Sequence, residues 1–461
     1  MSAFSEISLD SCRNMALHNN KLIRMAQENL KGASTLKEAA KAAYLPGIDF
    51  TGAYFYNQHI INLLGEDAKL PTMSFDPSSM SYQYNFVKGP DGKPVMNPAT
   101  GTPIPSEVAV IPKEALSYDI HNVFAGAFTL TQPVYMGGQI RAMNQIAGFG
   151  EKIAQAMSNN VAQEIVYTVD EAYWTVISLK EKKKLAESFV SLTDSLCNNV
   201  RIMLEEGVAT KSDLLSVEVR VNEANIALAK VNNGLVLSRM ALAQICGLPP
   251  ATEMQLSDEN LTERDMQQAP QADMEDVYSR RQDLEIVRQS ILLLQSKEKL
   301  SLSEMLPKIA VVGAYSFSNP NVIDGFKKRF GGGFNVGAML QIPIWHWGGD
   351  YKKYKAAKST TAAQRLLLED LEEKVQLQVS QARFSLDEAE KTYSMASLNL
   401  NKAKENLYQA QMGFKEGVLT TSDVLAAQTA WLAANSEKID AEISLRLAHT
   451  YLSKVIGTLP Y

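Results

Sequence analysis

Cysteine is scarce in this chain and histidine nearly so. Three cysteines (Cys12, Cys197, Cys246) and five histidines stand at spacings that match neither a disulfide framework nor a metal-ligand cluster. The expectation is no metal, no cofactor, and three small buried thiols. Long apolar runs are missing as well: nothing approaches the roughly 20 residues of a transmembrane helix. A net charge of −6 offers no basic surface, so no nucleic-acid partner is expected. Residues 1–10 lack the basic and apolar regions of a signal peptide, so either the chain is cytoplasmic or a leader precedes it. No nucleophile–base pair or phosphate loop is present, and an enzyme is not indicated. Gly92-Lys93 lacks the flanking residues of a phosphate loop. Gly331-Gly332-Gly333 precedes a strand instead of opening a helix, and reads as a hairpin turn.

Proline is absent where it would interrupt a helix. Between Pro133 and Gly247, and again between Pro343 and Gly457, there is none. These two stretches repeat each other at an offset of 210: Gly207-Val208 matches Gly417-Val418, and Ser212-Asp213 matches Ser422-Asp423. Further back, Pro46 and Gly52-Ala53-Tyr54 match Pro307 and Gly313-Ala314-Tyr315 at an offset of 261, so the first copy carries 51 additional residues. The plan is two copies, residues 1–250 and 251–461, of helix, strand, loop, strand and long helical hairpin. One loop, about 58–120, is greatly enlarged and rich in proline.

From Ile153, the apolar positions Met157, Val161, Ile165, Val169, Ala172, Val176 and Leu179 advance by fours and threes, one stripe of a helix. The pattern predicts a helix over 139–206 and a twin over 350–416, each roughly 100 Å long at about 1.5 Å per residue. Gly148 and Gly150 mark a place for a local kink. Each rod ends at Gly-Val, followed by Thr or Ser to cap the return helix and Asp in its first turn. The hairpins thus span 139–248 and 350–457. Rods of this length must pack against other rods, in this chain or a partner.

Residues 47–57, 121–133, 307–317 and 334–343 alternate with period two, as half-exposed strands do. Ile48, Phe50, Gly52, Tyr54 and Tyr56 share a face, with Phe55 the large exception on the other. Four strands cannot close a barrel, and an open sheet leaves two raw edges, so several chains would have to share one. Trp345 and Trp347 follow the last strand and suit either an interfacial girdle or a core.

Ala16-Leu17-His18-Asn19-Asn20, Leu45-Pro46, Gln132-Pro133-Val134-Tyr135-Met136-Gly137-Gly138 and Ile342-Pro343-Ile344-Trp345-His346-Trp347-Gly348-Gly349 together resemble the TolC-type outer-membrane factor family over nearly the whole chain. The resemblance implies a mainly α fold with a small β part. Three chains would pool four strands each into a twelve-stranded barrel, and the hairpins would form a periplasmic α-barrel. It implies a passive exit duct of a tripartite efflux or type I secretion system, set in outer-membrane lipid and extending into the periplasm. Its partners would be two further copies, a periplasmic adaptor at the tips Gly207-Val208-Ala209 and Gly417-Val418-Leu419, and indirectly an inner-membrane transporter. Asp423 and Asp213 match acidic positions of the family's entrance. Asp423 is expected to form an axial ring and Asp213 to cap its helix and hold a neighbouring tip, unless both merely cap. A second acidic position of some members is Ala426 here, and a gating Tyr and Arg are replaced by Phe414 and Leu419, which points to an apolar lock. The alternative reading is a periplasmic helical adaptor or scaffold without a membrane barrel.

Overall fold

The computed structural model describes residues 7–252, 254–258 and 272–460. Among them are eight α-helices: α1 (Leu9–Asn19), α2 (Lys21–Ala42), α3 (Gln139–Glu205), α4 (Lys211–Ile245), α5 (Met274–Arg280), α6 (Gln282–Ser303), α7 (Gly349–Lys415) and α8 (Thr421–Val455). Four long strands join them: β1 (Gly47–Tyr56), β2 (Asn122–Met136), β3 (Lys308–Asn319) and β4 (Gly331–Gln341). The chain divides into a helical unit (Met1–Lys41, Gly138–Glu304, Trp345–Tyr461) and a strand unit (Ala42–Gly137, Met305–Ile344). Both sequence repeats contribute to both units.

In the helical unit, α3 and α7 are 67 residues each, and α3 passes through Gly148 and Gly150 without a break. Their return helices α4 and α8 are 35 residues each. From Val161 onward the expected stripe on α3 is buried or half-buried. Ile165, Val169 and Val176 face a core shared with Cys12 and Ala16 of α1, Leu242 of α4 and Ile443 of α8. Met157 is exposed, a correction to the stripe's start. One buried charge fixes α1 to α3: Arg13 grips the fully buried Asp170 through Nε (2.7 Å) and Nη2 (2.5 Å). Burial pushes the Asp170 carboxyl up, and the guanidinium opposes that shift. Losing the arginine would strand a charge in the core, a defect worth about 3–5 kcal/mol. The second copy builds its own core from Leu284 of α6, Val375, Val379 and Leu386 of α7, and Leu445 and Leu452 of α8.

The strand unit is an antiparallel sheet in the order β1-β2-β3-β4, so β1 and β4 are its edges. Register puts Phe50 opposite Phe128, Tyr54 opposite Phe124, Phe128 opposite Tyr315, and Phe334 opposite Tyr315. The face read from the sequence therefore runs across all four strands. Gly331-Gly332-Gly333 open β4 as paired residues, not as a turn, because Gly331 pairs with Ser318 and Gly332 with Phe317. The enlarged loop is an antiparallel arm. Residues Ile61–Asn62 pair with Ser117–Tyr118, Ala68–Pro71 with Val108–Ile111, and Met73–Asp76 with Ser81–Tyr84.

All four hairpin helices end alike. Gly207, Gly417, Gly247 and Gly457 have φ between +73° and +76°, and the next residue's amide reaches back to the carbonyl five positions earlier at 2.8–2.9 Å. Space separates the pairs. A Cβ on Gly207 or Gly417 meets nothing within 4 Å, but on Gly247 it would fall 2.6–2.8 Å from Asn19, and on Gly457 2.9 Å from Arg280. Alanine at any of the four carries the left-handed strain of about 1–2 kcal/mol. At Gly247 it must also displace the α1 backbone, adding about 1–3 kcal/mol. Thermal unfolding should rank Gly247→Ala as the most destabilised, Gly457→Ala next, and Gly207→Ala with Gly417→Ala least. Equal losses at all four would refute the packing account.

Candidate functional site

Two features lie outside the cores: the hairpin tips of the helical unit and the apolar face of the sheet. At the first tip the chain turns at Gly207, and Val208 stands out with 73% of its surface exposed; at the second, Gly417 turns and Val418 is 77% exposed. Ala209 is half-buried against Val200 and Val217, which anchors that turn. Beyond each turn a threonine caps the return helix, as the sequence predicts. Asp213 Oδ2 accepts from the Thr210 amide (2.9 Å) and hydroxyl (2.6 Å), and Asp423 Oδ2 from the Thr420 amide (2.8 Å) and hydroxyl (2.7 Å). The threonine oxygen in turn accepts from the aspartate amide, closing a reciprocal box.

These bonds, the threonine hydroxyl's first and its amide's second, hold both carboxyls below the usual range. Both aspartates are solvent-facing and ionised, and their bonding within one protomer is equivalent. The capping role is thus present at both positions. The two caps are alike, and Asp423 is the more exposed of the two carboxylates.

Phe414 is 9% exposed and belongs to a core that ties the two hairpins together, with Leu196, Cys197 and Val200 of α3, Val217 of α4 and Val424 of α8. Leu419 folds back over Gly413, where an added Cβ would lie 2.9 Å from its side chain. Both side chains pack within the tip. A second tie was missed in the sequence: Arg220 of α4 donates to Thr429 of α8 and pairs with Glu223 at 2.7 Å. The signal lay in an asymmetry, because the repeat position of Arg220 is Ala430. Ala426 and Ala430 line the adjoining groove between α4 and α8, together with Ser216 and Val219.

On the sheet, Ile48, Phe50, Tyr54, Phe124, Phe128, Tyr315, Phe334 and Val336 share one face and are all exposed. Phe50 and Phe128 lie 4.9 Å apart, as do Tyr54 and Phe124. The Phe317 ring occupies the space over Gly126, where a Cβ would fall 2.5 Å away. The other face carries mostly small side chains: Thr51, Ala53, Ala125, Ala127 and Ser316 line a concavity, with Val322 and Ile323 at its side. Phe55 remains its large exception and is exposed. A sheet that leaves its aromatic face exposed is the reverse of a soluble sandwich. Trp345 and Trp347 are exposed in the single chain and in edge-on contact at 6.0 Å. No described helix is long and apolar enough to cross a membrane.

The model of a family described as outer membrane efflux protein matches residues 112–248 and 274–458. The chain belongs to that family. The match takes in both hairpins and begins within the closing part of the arm. Outer membrane efflux protein BepC of Brucella suis biovar 1 is 22% identical over 339 residues, covering 72% of this chain and 71% of its own. The CmeC outer membrane channel of Campylobacter jejuni superposes with a TM-score of 0.74 at 14% identity, covering 98% of this chain and 86% of that one. The open-state MtrE outer membrane channel of Neisseria gonorrhoeae does so with a TM-score of 0.74 at 16% identity, over 99% and 90%. The fold class is that of these channels, mainly helical with a smaller strand part, and the protein is an efflux duct of the outer membrane. The adaptor or scaffold alternative is overturned by the family.

Because the folded carboxyls of Asp213 and Asp423 titrate below their unfolded value of about 3.9, their contribution is complete above that pH. It fades as pH falls through the depressed folded values. The efflux protein should be more heat-stable than an Asp213→Asn/Asp423→Asn double variant at pH 7, and the gap should shrink below about pH 4. A gap that is constant down to pH 2 would rule out the ionised caps.

Proposed function

We propose that three copies of this chain form one passive duct, with their twelve strands closed into a barrel in the outer membrane and their hairpins lining a periplasmic passage. The observation that carries this reading is the sheet, with its exposed aromatic face, its small-residue concave face and its two unpaired edge strands. Apolar side chains left bare on the rods, among them Leu366, Leu377, Phe384, Met395 and Leu398 of α7, offer surface for neighbouring rods.

The exposed Val208 and Val418 suit the docking of a periplasmic adaptor's helical hairpin. An inner-membrane transporter would then supply the energy. Trp345 and Trp347 suit the lipid headgroup region. Around the entrance, three Asp423 carboxylates would form a ring that favours cations, while Asp213 holds a neighbouring tip. Phe414 and Leu419 would stiffen the closed tips as apolar packing instead of a polar lock.

Recording from purified protein in planar bilayers tests this directly. Wild type should conduct with a preference for cations. Asp423→Ala should lower that preference and weaken block by multivalent cations, and Asp213→Ala should mainly change how often the duct opens. Absence of any conductance would overturn the duct, whereas unchanged selectivity in Asp423→Ala would remove the ring alone.

A further inference from the structure

Cys12 and Cys246 stand 234 positions apart in sequence, yet meet in one core. Neither has any exposed surface. The Cys246 thiol lies 3.7 Å from the Cys12 carbonyl oxygen. Both are free thiols in this structure; hydrogen bonding to the Cys246 side chain, and then burial, push the Cys12 thiol far up. The helices that carry them are pinned beside the contact. Asn20 donates its side-chain amide to the Ile245 carbonyl at 2.9 Å, and Gly247 abuts Asn19 so closely that no Cβ fits.

Packing by itself does not call for sulfur here. At the repeat offset of 210, the position of Cys246 is taken by Ile456, equally buried in the second core. Cys197 is a contrasting case. It sits in the tip core with Arg201 nearby at 3.9 Å and no other cysteine in that cluster.

We infer that Cys12 and Cys246 are joined as a disulfide in the mature protein, tying α1 to the end of the first hairpin. The inference rests on the outer-membrane reading, which sets the helices in an oxidising compartment where disulfides form and persist. The oxidant is a disulfide-bearing thiol oxidoreductase of that compartment. One cysteine thiolate attacks the oxidant's S–S bond, which breaks with departure of one oxidant thiolate and leaves a mixed disulfide. The second thiolate then displaces the remaining oxidant sulfur. Two electrons pass to the oxidant, two protons leave the cysteine pair, and the oxidant ends as a dithiol. Because the pair is sealed from water, exchange occurs before this core closes. The finished bond is then shielded from reductants. A crosslink that closes so long a loop restricts the unfolded chain strongly.

The test is thiol mapping of protein purified from outer membranes, quenched in acid, then denatured and alkylated without reductant. Mass mapping should find Cys197 alkylated, with the Cys12 and Cys246 peptides recovered as one linked pair that separates on reduction. Alkylation of all three cysteines in the unreduced sample overturns the inference. If that same preparation conducts in bilayers, the duct reading survives, so the two fail separately. As a second measurement, reduction under mildly denaturing conditions should lower the thermal midpoint of wild type by roughly 5 °C or more. A Cys12→Ala/Cys246→Ala variant should show no reductant-dependent shift. Equal sensitivity of both proteins to reductant would also overturn it.

Discussion

A backbone amide or carbonyl inside a bilayer has no water to turn to, and each one left unpaired costs several kcal/mol. In the proposed duct that constraint governs everything else about the strand unit. The sheet satisfies its interior through three ladders, β1 with β2, β2 with β3 and β3 with β4, and leaves the outer rows of β1 and β4 without strand partners among the described residues. Its aromatic face has the opposite demand: it wants hydrocarbon, not water. Only another copy's edge strand, in the same lipid environment, meets both demands together.

The helical unit answers to a different physics. Its rods are held inside the chain by aliphatic cores, by the buried Asp170 carboxylate clamped by Arg13, and by four glycines that stop helices at the required points. Tips are the places where this stabilisation thins. Val208 and Val418 project into solvent there, while Phe414, Val424 and Val200 hold the two hairpins together just behind them. Stiff backing behind an exposed apolar point suits docking, because the partner need not order the site it meets.

Repetition made most of this fold legible. Period-two alternation found all four long strands to within a few residues. Gly-Val followed by Thr and Asp found the tips and caps, because those signals act through neighbours in sequence. What stayed hidden depends on distant parts of the chain. Met157 continues the α3 stripe perfectly well by spacing, but among the described residues it stands exposed. The arm reads as a proline-rich loop because its ladders are two to four residues long, too short to show alternation. Gly331-Gly332-Gly333 has turn composition, yet a bulky Phe317 opposite needs the room that glycine leaves. Arg220 on Thr429 and Cys12 beside Cys246 are juxtapositions across hundreds of positions, which no local pattern records. Asp213 and Asp423 are legible as caps because the capping box is local, whereas the proposed ring would exist only between chains.

The claim on which the rest hangs is that this chain's sheet is one third of a closed barrel. Mass measurement of the detergent-solubilised protein, corrected for bound detergent, tests it most directly. Three chains per particle is the result the account predicts. A stable, folded monomer with β1 and β4 left unpaired would contradict it.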